Sequence, residues 1–313
     1  MRSEFPEISV SDSPSIVVER PAAADPPRLS AVELVEHRKF SAVEVGVAPA
    51  AERTSEFGGF LDGAQKVQVL AYPKGIPVVL GTVSAAMRCR TERRLMTWRE
   101  REPAVERRLY LPLAYLGATK IASGEMFEVV DTSAADATGV ALDAHPLGLV
   151  DRAVQLVQES REALENRFAE DWCDSESTPL FIDGGISGSA RIASSPLAIG
   201  VVKSHRTLYV DNAALPILFS LRKGERSSVF RVAPRSRHSV ASWYLRIRSS
   251  KGQDPLWGLV RVEIADTPDA SDRANEISRW ILAESSPLSL PDGRWDKMAY
   301  GIRDTEEFLR AIS

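Results

Sequence analysis

Two short stretches of the sequence end an apolar run on an aspartate followed by glycine. They are FLDGA, where Phe60 and Leu61 lead into Asp62 and Gly63, and LFIDGG, where Leu180 to Ile182 lead into Asp183 and two glycines. An Asp-Gly pair is ordinary hairpin chemistry, because the aspartate bonds its own backbone and glycine accepts positive φ. That reading serves Asp62 taken alone. GGISGS after Asp183 is longer than a tight turn, and its small residues would let a polyanion or a metal ion approach the strand end. Between the two aspartates runs a helical segment with Glu159, Glu162, Glu165 and Glu170, of which Glu162 and Glu165 are three apart and share one face. One helix glutamate plus two strand-end aspartates would form a set of hard oxygen ligands suited to Mg2+ or Mn2+, whereas zinc would call for histidine or cysteine. Such a site could activate water against a phosphodiester. Lys203, closing the apolar run LAIGVV, could neutralise charge on the phosphate, or simply snorkel from the strand end.

The elements that would hold these residues can be read from apolar periodicity. GGFLDG, KVQVLAY and GIPVVLGTVSAAM are three apolar runs separated by Asp-Gly and Pro-Lys-Gly, which predicts an antiparallel three-strand meander. RRLYLPLAYL adds a strand, and residues 117–147 are mixed. From Leu147 to Trp172 the apolar positions Val150, Ala153, Val154, Val157, Leu164 and Phe168 recur at helical spacing. PLFID, LAIGVVK, TLYV, SVFRV, SWYLRIR and LWGLVRVEI read as strands, and residues 269–285 and 304–312 as amphipathic helices. Residues 1 to about 30, rich in Pro, Ser and acidic side chains, read as a disordered arm, with one main domain over 31–313.

This order of elements resembles the NurA family of DNA end-processing nucleases. The parts that carry the likeness are FLDGAQ with its following meander, ALENRFAEDW on a helix, LFIDGGIS, and IGVVK, spanning roughly residues 55 to 205; DGRWDKMAYGIRDTEEFLRA resembles the family's closing strand and helix. The resemblance implies an α/β fold with an RNase H-like mixed sheet flanked by helices, carrying a β-meander and insertions. It also implies metal-dependent DNA cleavage with Mn2+ or Mg2+, a homodimer, and partnership with a HerA-like hexameric ATPase. It would make Asp62, Glu165 and Asp183 metal ligands, with Glu162 the alternative on the helix, and Lys203 a phosphate contact. The family's usual Asp-Gly-Ser is replaced here by Asp-Gly-Ala and Asp-Gly-Gly.

Composition narrows the alternatives. No apolar run approaches the roughly eighteen residues a membrane span needs, the N-terminus lacks the basic and apolar regions of a secretory signal, and the only two cysteines, Cys89 and Cys173, suggest no disulfide framework. A cytoplasmic protein is expected. A net charge of −4 argues against coating nucleic acid by bulk charge but permits a local basic groove. RCRTERRLMTWREREPAVERR, with eight arginines against four glutamates, reads as a solvated helix laced with ion pairs, or, on the nuclease reading, as a phosphate-binding surface with Trp98 free to stack a base. Lys203, His205 and Arg206 form a second basic group, and Arg231, Arg235, Arg237 and His238 a third, in a loop; His205 reads as a surface residue. No GxxxxGK[ST] loop occurs, so an ATP-driven step would come from another protein. The expected docking surfaces for it are the N-terminal arm and the helix EEFLRAIS, where Phe308, Leu309 and Ile312 would form a small apolar face, with packing of that face onto its own domain the equal alternative. Two other readings stand beside the nuclease: a catalytically inactive DNA-binding or motor-docking subunit of the same fold, and an unrelated α/β protein in which both Asp-Gly pairs are turns.

Overall fold

The structure, a computed structural model, describes residues 26–46, 55–92, 94–100, 103–116, 127–133, 145–233, 237–285 and 296–312. In chain order the strands are β1 (Arg28–Leu29), β2 (Glu33–Leu34), β3 (Ala42–Glu44), β4 (Gly59–Ala71), β5 (Val78–Thr91), β6 (Arg94–Thr97), β7 (Ala104–Leu111) and β8 (Glu128–Asp131). There follow β9 (Leu180–Ile182), β10 (Ala198–Val202), β11 (Thr207–Leu208), β12 (Glu225–Ser227), β13 (Phe230–Val232), β14 (Val240–Arg246) and β15 (Leu259–Ala265). The helices are α1 (Leu113–Leu116), α2 (Pro146–Ser175), α3 (Ala190–Ser194), α4 (Leu215–Ser220), α5 (Ala270–Glu284) and α6 (Tyr300–Ile312).

Thirteen strands form one mixed sheet whose central order is β15-β10-β9-β4-β5-β7-β8. From β4 through β5 to β7 the pairing is antiparallel; β9 lies parallel to β4 and β10 parallel to β9, with β15 antiparallel beyond. The meander therefore exists, but its first two runs are one strand. Asp62 and Gly63 pair with Ala86 and Ala85 in an unbroken ladder, so this Asp-Gly makes no turn and Asp62 sits inside β4, not at its end. The reversal comes later, at Pro73–Gly75, where Lys74 and Gly75 adopt positive φ.

Strand alternation divides the core into two layers. Leu61 and Ile182 face α2, whose buried stripe includes Val150, Ala153, Val154, Val157, Leu164 and Phe168, as the helical spacing predicts. Phe60 and Phe181 face the other way, towards α5 and α6, where Phe57, Trp243, Ile277 and Ile302 complete the second layer. Gly301 lets α6 lie directly on β4, because a Cβ there would run into the ring of Phe60.

Several expectations are corrected. The described residues of 88–108 form the end of β5, then β6, a short 3-10 turn at Trp98–Glu100 and β7, not one helix; Glu92, after β5, has positive φ, and β7 alternates between the two faces. Trp98 is buried, 3% exposed, packs on Trp172 and donates its indole N–H to Glu176, so it cannot stack a base. His205 is largely buried beside Tyr244, its Nε2 2.7 Å from the Leu259 carbonyl oxygen, and is not a surface residue. Arg231 belongs to β13, paired with Asp266 and Glu33; Arg235 lies outside the described residues. Of the two readings of the C-terminal helix, packing onto its own domain is the one observed for Leu309, buried on the inner face of α6, and for Phe308, which lies beneath the guanidinium of Arg88. No strand forms in residues 296–299 before α6; DGRW lies outside the described residues. Of the expected arm, residues 1–25 also lie outside them, while Arg28–Leu29 pair with β11. Among the described residues no helix is long and apolar enough to cross a membrane.

Candidate metal centre

Asp62 follows Phe60 by two residues, and Asp183 follows Phe181 by two, so both carboxylates emerge on the face that α6 covers. Leu61 pairs with Ile182, the last residue of β9, and the Asp183 N–H still donates to the Leu61 carbonyl (3.1 Å). The two aspartates thus stand on neighbouring parallel strands, the arrangement needed for them to share an ion. A third carboxylate joins them from α6. Ligand oxygens of Asp62, Asp183 and Glu306 lie within 4.8 Å of one another. Helix α6 is seated by Gly301 on Phe60, by buried Ile302, Thr305 and Leu309, and by Asp304, which accepts from Arg88 Nε at 2.8 Å.

Lys203, just beyond β10, closes the group: its ammonium donates to Asp183 Oδ2 (2.6 Å) and lies 4.0 Å from Glu306. Burial opposes its charge, but the neighbouring Asp183, followed by Asp62 and Glu306, raises its pKa above the usual lysine value. Asp62 is pushed far in the other direction for an acid. Burial, then the charge of Asp183, raise its pKa well above the ordinary carboxylate value, and Lys203 compensates only in part. Its Oδ1 accepts the Gly63 N–H at 2.8 Å.

Glu165 reaches the strand pair from the opposite side of the sheet. Its carboxylate lies against Gly63, where a Cβ would occupy the same space, and Arg161 donates to it at 2.5 Å. Burial raises its pKa to about 7 despite Arg161, with Glu162 and Asp183 adding to the rise. Glu165 is therefore close to both aspartates but outside the three-carboxylate group. Glu162 is more exposed, accepts from Gln158 and lies 3.6 Å from Arg237. A cleft at the end of β9 is lined by Glu165, Asp183, Arg161, Arg237 and the glycines Gly184, Gly185 and Gly188.

Of the four residues that sequence reasoning selects, the structure brings Asp62, Asp183 and Lys203 into direct proximity and sets Glu165 beside them. It adds Glu306, whose helix the sequence locates but whose role no local spacing announces. The donor set fits a hard divalent cation: it is all oxygen, it comes from three separate elements, and its three carboxylates outnumber the two cations paired with them, Lys203 and the exposed Arg310. Asp62, Asp183 and Glu306 would hold such an ion. No family model matches the chain, and no curated protein matches it.

Proposed function

We propose that this protein is a metal-dependent DNA nuclease of the NurA type, with an RNase H-like core, and that Asp62, Asp183 and Glu306 hold Mn2+ or Mg2+. The observation that carries the reading is the convergence of three carboxylates and Lys203 from three adjacent parallel strands, β4, β9 and β10, and one helix. The order of elements supports it: an antiparallel meander, then a glutamate-bearing helix, then two parallel strands placed beside the first.

When bound, the ion would polarise a phosphoryl oxygen and lower the pKa of water. The chain's own groups do the rest. Lys203 holds Asp183 and offers positive charge to the scissile phosphate. Glu165, titrating near neutrality on the cleft side, can join the ion's ligands or accept the proton of the attacking water, whose oxygen replaces the departing strand's oxygen on phosphorus. The enzyme would work in the cytoplasm as a homodimer, fed by a HerA-like hexameric ATPase in end processing, repair or anti-phage defence. Its own sequence has no nucleotide-binding loop to drive DNA.

The test is incubation of purified protein with end-labelled DNA and Mn2+, Mg2+ or EDTA, alone and with a HerA-like ATPase. Metal-dependent shortening that Asp62→Ala, Asp183→Ala and Glu306→Ala each remove supports the reading. DNA binding with no cleavage under any of these conditions would favour an inactive docking subunit. Light scattering reporting a monomer at micromolar concentration would remove the dimer.

A further inference from the structure

We infer that Glu263 is a positioning residue for Asp183: it anchors the glycine turn after β9 and so keeps the Asp183 carboxylate beside Asp62 against their mutual repulsion. The inference rests on the metal-site reading above.

After Ile182 the chain turns through Asp183, Gly184, Gly185 and Ile186. Only one residue of this turn before Ile186 has a side chain, and that side chain is the one committed to the carboxylate group. Gly184 has a φ of +148. Local bonds are few: Asp183 N–H to Leu61 O, and Gly184 N–H to Ile182 O at 3.0 Å. Such a turn has little of its own to resist displacement.

Glu263 supplies the missing fixation from two strands away. It is 2% exposed on β15, directly opposite Gly200 of β10. Gly200 has no side chain, and the turn passes over it so closely that a Cβ there would come within 2.7 Å of the Gly184 carbonyl oxygen. Through this gap Glu263 Oε2 accepts the Ile186 N–H at 2.8 Å. A Cβ on Gly185 would come within 2.8 Å of the same oxygen. The other carboxylate oxygen takes Arg261 Nη1 at 2.5 Å, and that guanidinium bonds Ser242 Oγ and lies over the ring of Tyr209. A buried ion pair inside a sheet is a costly way to gain stability, since apolar residues of similar volume often do as well. What an apolar residue cannot do is accept the one backbone N–H that ends this turn. Ligand-bearing segments depend on such outer hydrogen bonds, and their loss weakens metal affinity by about 10- to 100-fold.

The experiment uses the full chain. Amide hydrogen exchange of residues 184–187 is followed without metal, and Mn2+ affinity is measured by calorimetric titration, for the parent, Glu263→Ala, Glu263→Gln, Gly185→Ala and Ser278→Ala. Ser278 bonds Trp243 in the layer under α5, so its loss reports general destabilisation. Glu263→Ala should speed exchange in the turn and weaken Mn2+ binding by about tenfold or more. Glu263→Gln, which keeps an acceptor for Ile186, should restore most of both. Gly185→Ala should act like Glu263→Ala from the other side of the bond, and it decides the matter if Glu263→Ala fails to fold. Ser278→Ala should lower the melting temperature and change neither readout. Parental exchange and parental affinity in folded Glu263→Ala or Gly185→Ala would overturn the inference, as would an equal loss of affinity in Ser278→Ala. A parent that takes up no Mn2+ would instead remove the metal-site reading, and exchange alone would then decide whether Glu263 holds the turn.

Discussion

Replacing Asp62 by Asn should stabilise the metal-free protein and abolish its response to metal. Asp62 is 9% exposed and stands within 4.8 Å of both Asp183 and Glu306, with Lys203 bonded to Asp183 and Arg310 at 3.3 Å from Glu306 as the cations that touch the group. At 4.8 Å and an effective dielectric constant of about 20, one like-charge pair costs about 3 kcal/mol. Asn removes that repulsion and keeps an oxygen for the Gly63 N–H, but forfeits the attraction to Lys203, so the net gain should be about 1–3 kcal/mol. At roughly 2 °C per kcal/mol for a chain of this size, the melting temperature in EDTA should rise by about 2–6 °C. With Mn2+ at 100 times its dissociation constant the parent gains about 2.7 kcal/mol and the variant none, which brings the parent level with the variant or above it. Thermal unfolding with EDTA and over an Mn2+ series measures both effects. If Asp62→Asn is no more stable than the parent in EDTA, or is stabilised by Mn2+ as the parent is, the reasoning about this group fails.

Asp183→Ala should lose cleavage like Asp62→Ala but also lose about 1–3 kcal/mol of stability by denaturant titration, because it removes the hydrogen-bonded partner of the half-buried Lys203 and leaves it only the more distant Glu306 and Asp62. Trp98→Ala should cost about 3–5 kcal/mol through its packing on Trp172 and leave the affinity of the folded protein for single-stranded DNA unchanged in a filter or anisotropy assay. His205 has a folded pKa of about 4, below the ordinary 6.5, because burial disfavours its charge. The unfolded chain therefore binds more protons between these values, and stability present above pH 6.5 should fall by about 3 kcal/mol as pH drops to 4. The difference in stability between the parent and His205→Asn, from urea titrations across that window, should carry this slope, since Glu165, raised to about 7, titrates in the opposite sense in both proteins.

Much of the scaffold was legible because it rests on periodicity within one segment. The stripe of α2 and the continuous apolar runs of β9, β10 and β15 identify themselves, since each is buried in a way its own spacing records. Asp183 was legible as a strand-end carboxylate for the same reason. Asp62 was misplaced because Asp-Gly carries a strong turn preference that the ladder to Ala85 and Ala86 overrides; Gly63 is small for a different purpose, to admit Glu165. Trp98 and the arginines around it look like a surface only while their partners are unknown. Arg88 is spent on Asp304, Arg90 on Glu284, and Trp98 on Trp172 and Glu176, all remote in sequence. Glu306 was invisible for the same physical reason: amphipathicity shows that α6 has a buried face, not which strand that face meets.

The position of the group follows from where the sheet loses a strand. β9 has only three residues, and Leu61 with Ile182 is its last pair with β4, so from Asp62 onward β4 has no strand neighbour on that side among the described residues. An unpaired stretch of an otherwise covered central strand is a place where backbone and side chains remain approachable from both faces. Helix α6 uses one face to bring Glu306 to the two aspartates, and α2 uses the other to bring Glu165 against Gly63. Had β9 continued past Ile182, Asp183 would be fixed in a ladder and the cleft now bounded by Gly184, Gly185 and Gly188 would be filled by strand. The early end of β9 therefore does two things at once. It leaves Asp183 lining an open cleft, and it leaves the turn that carries Asp183 without ladder support, which is the deficit that Glu263 makes good from β15.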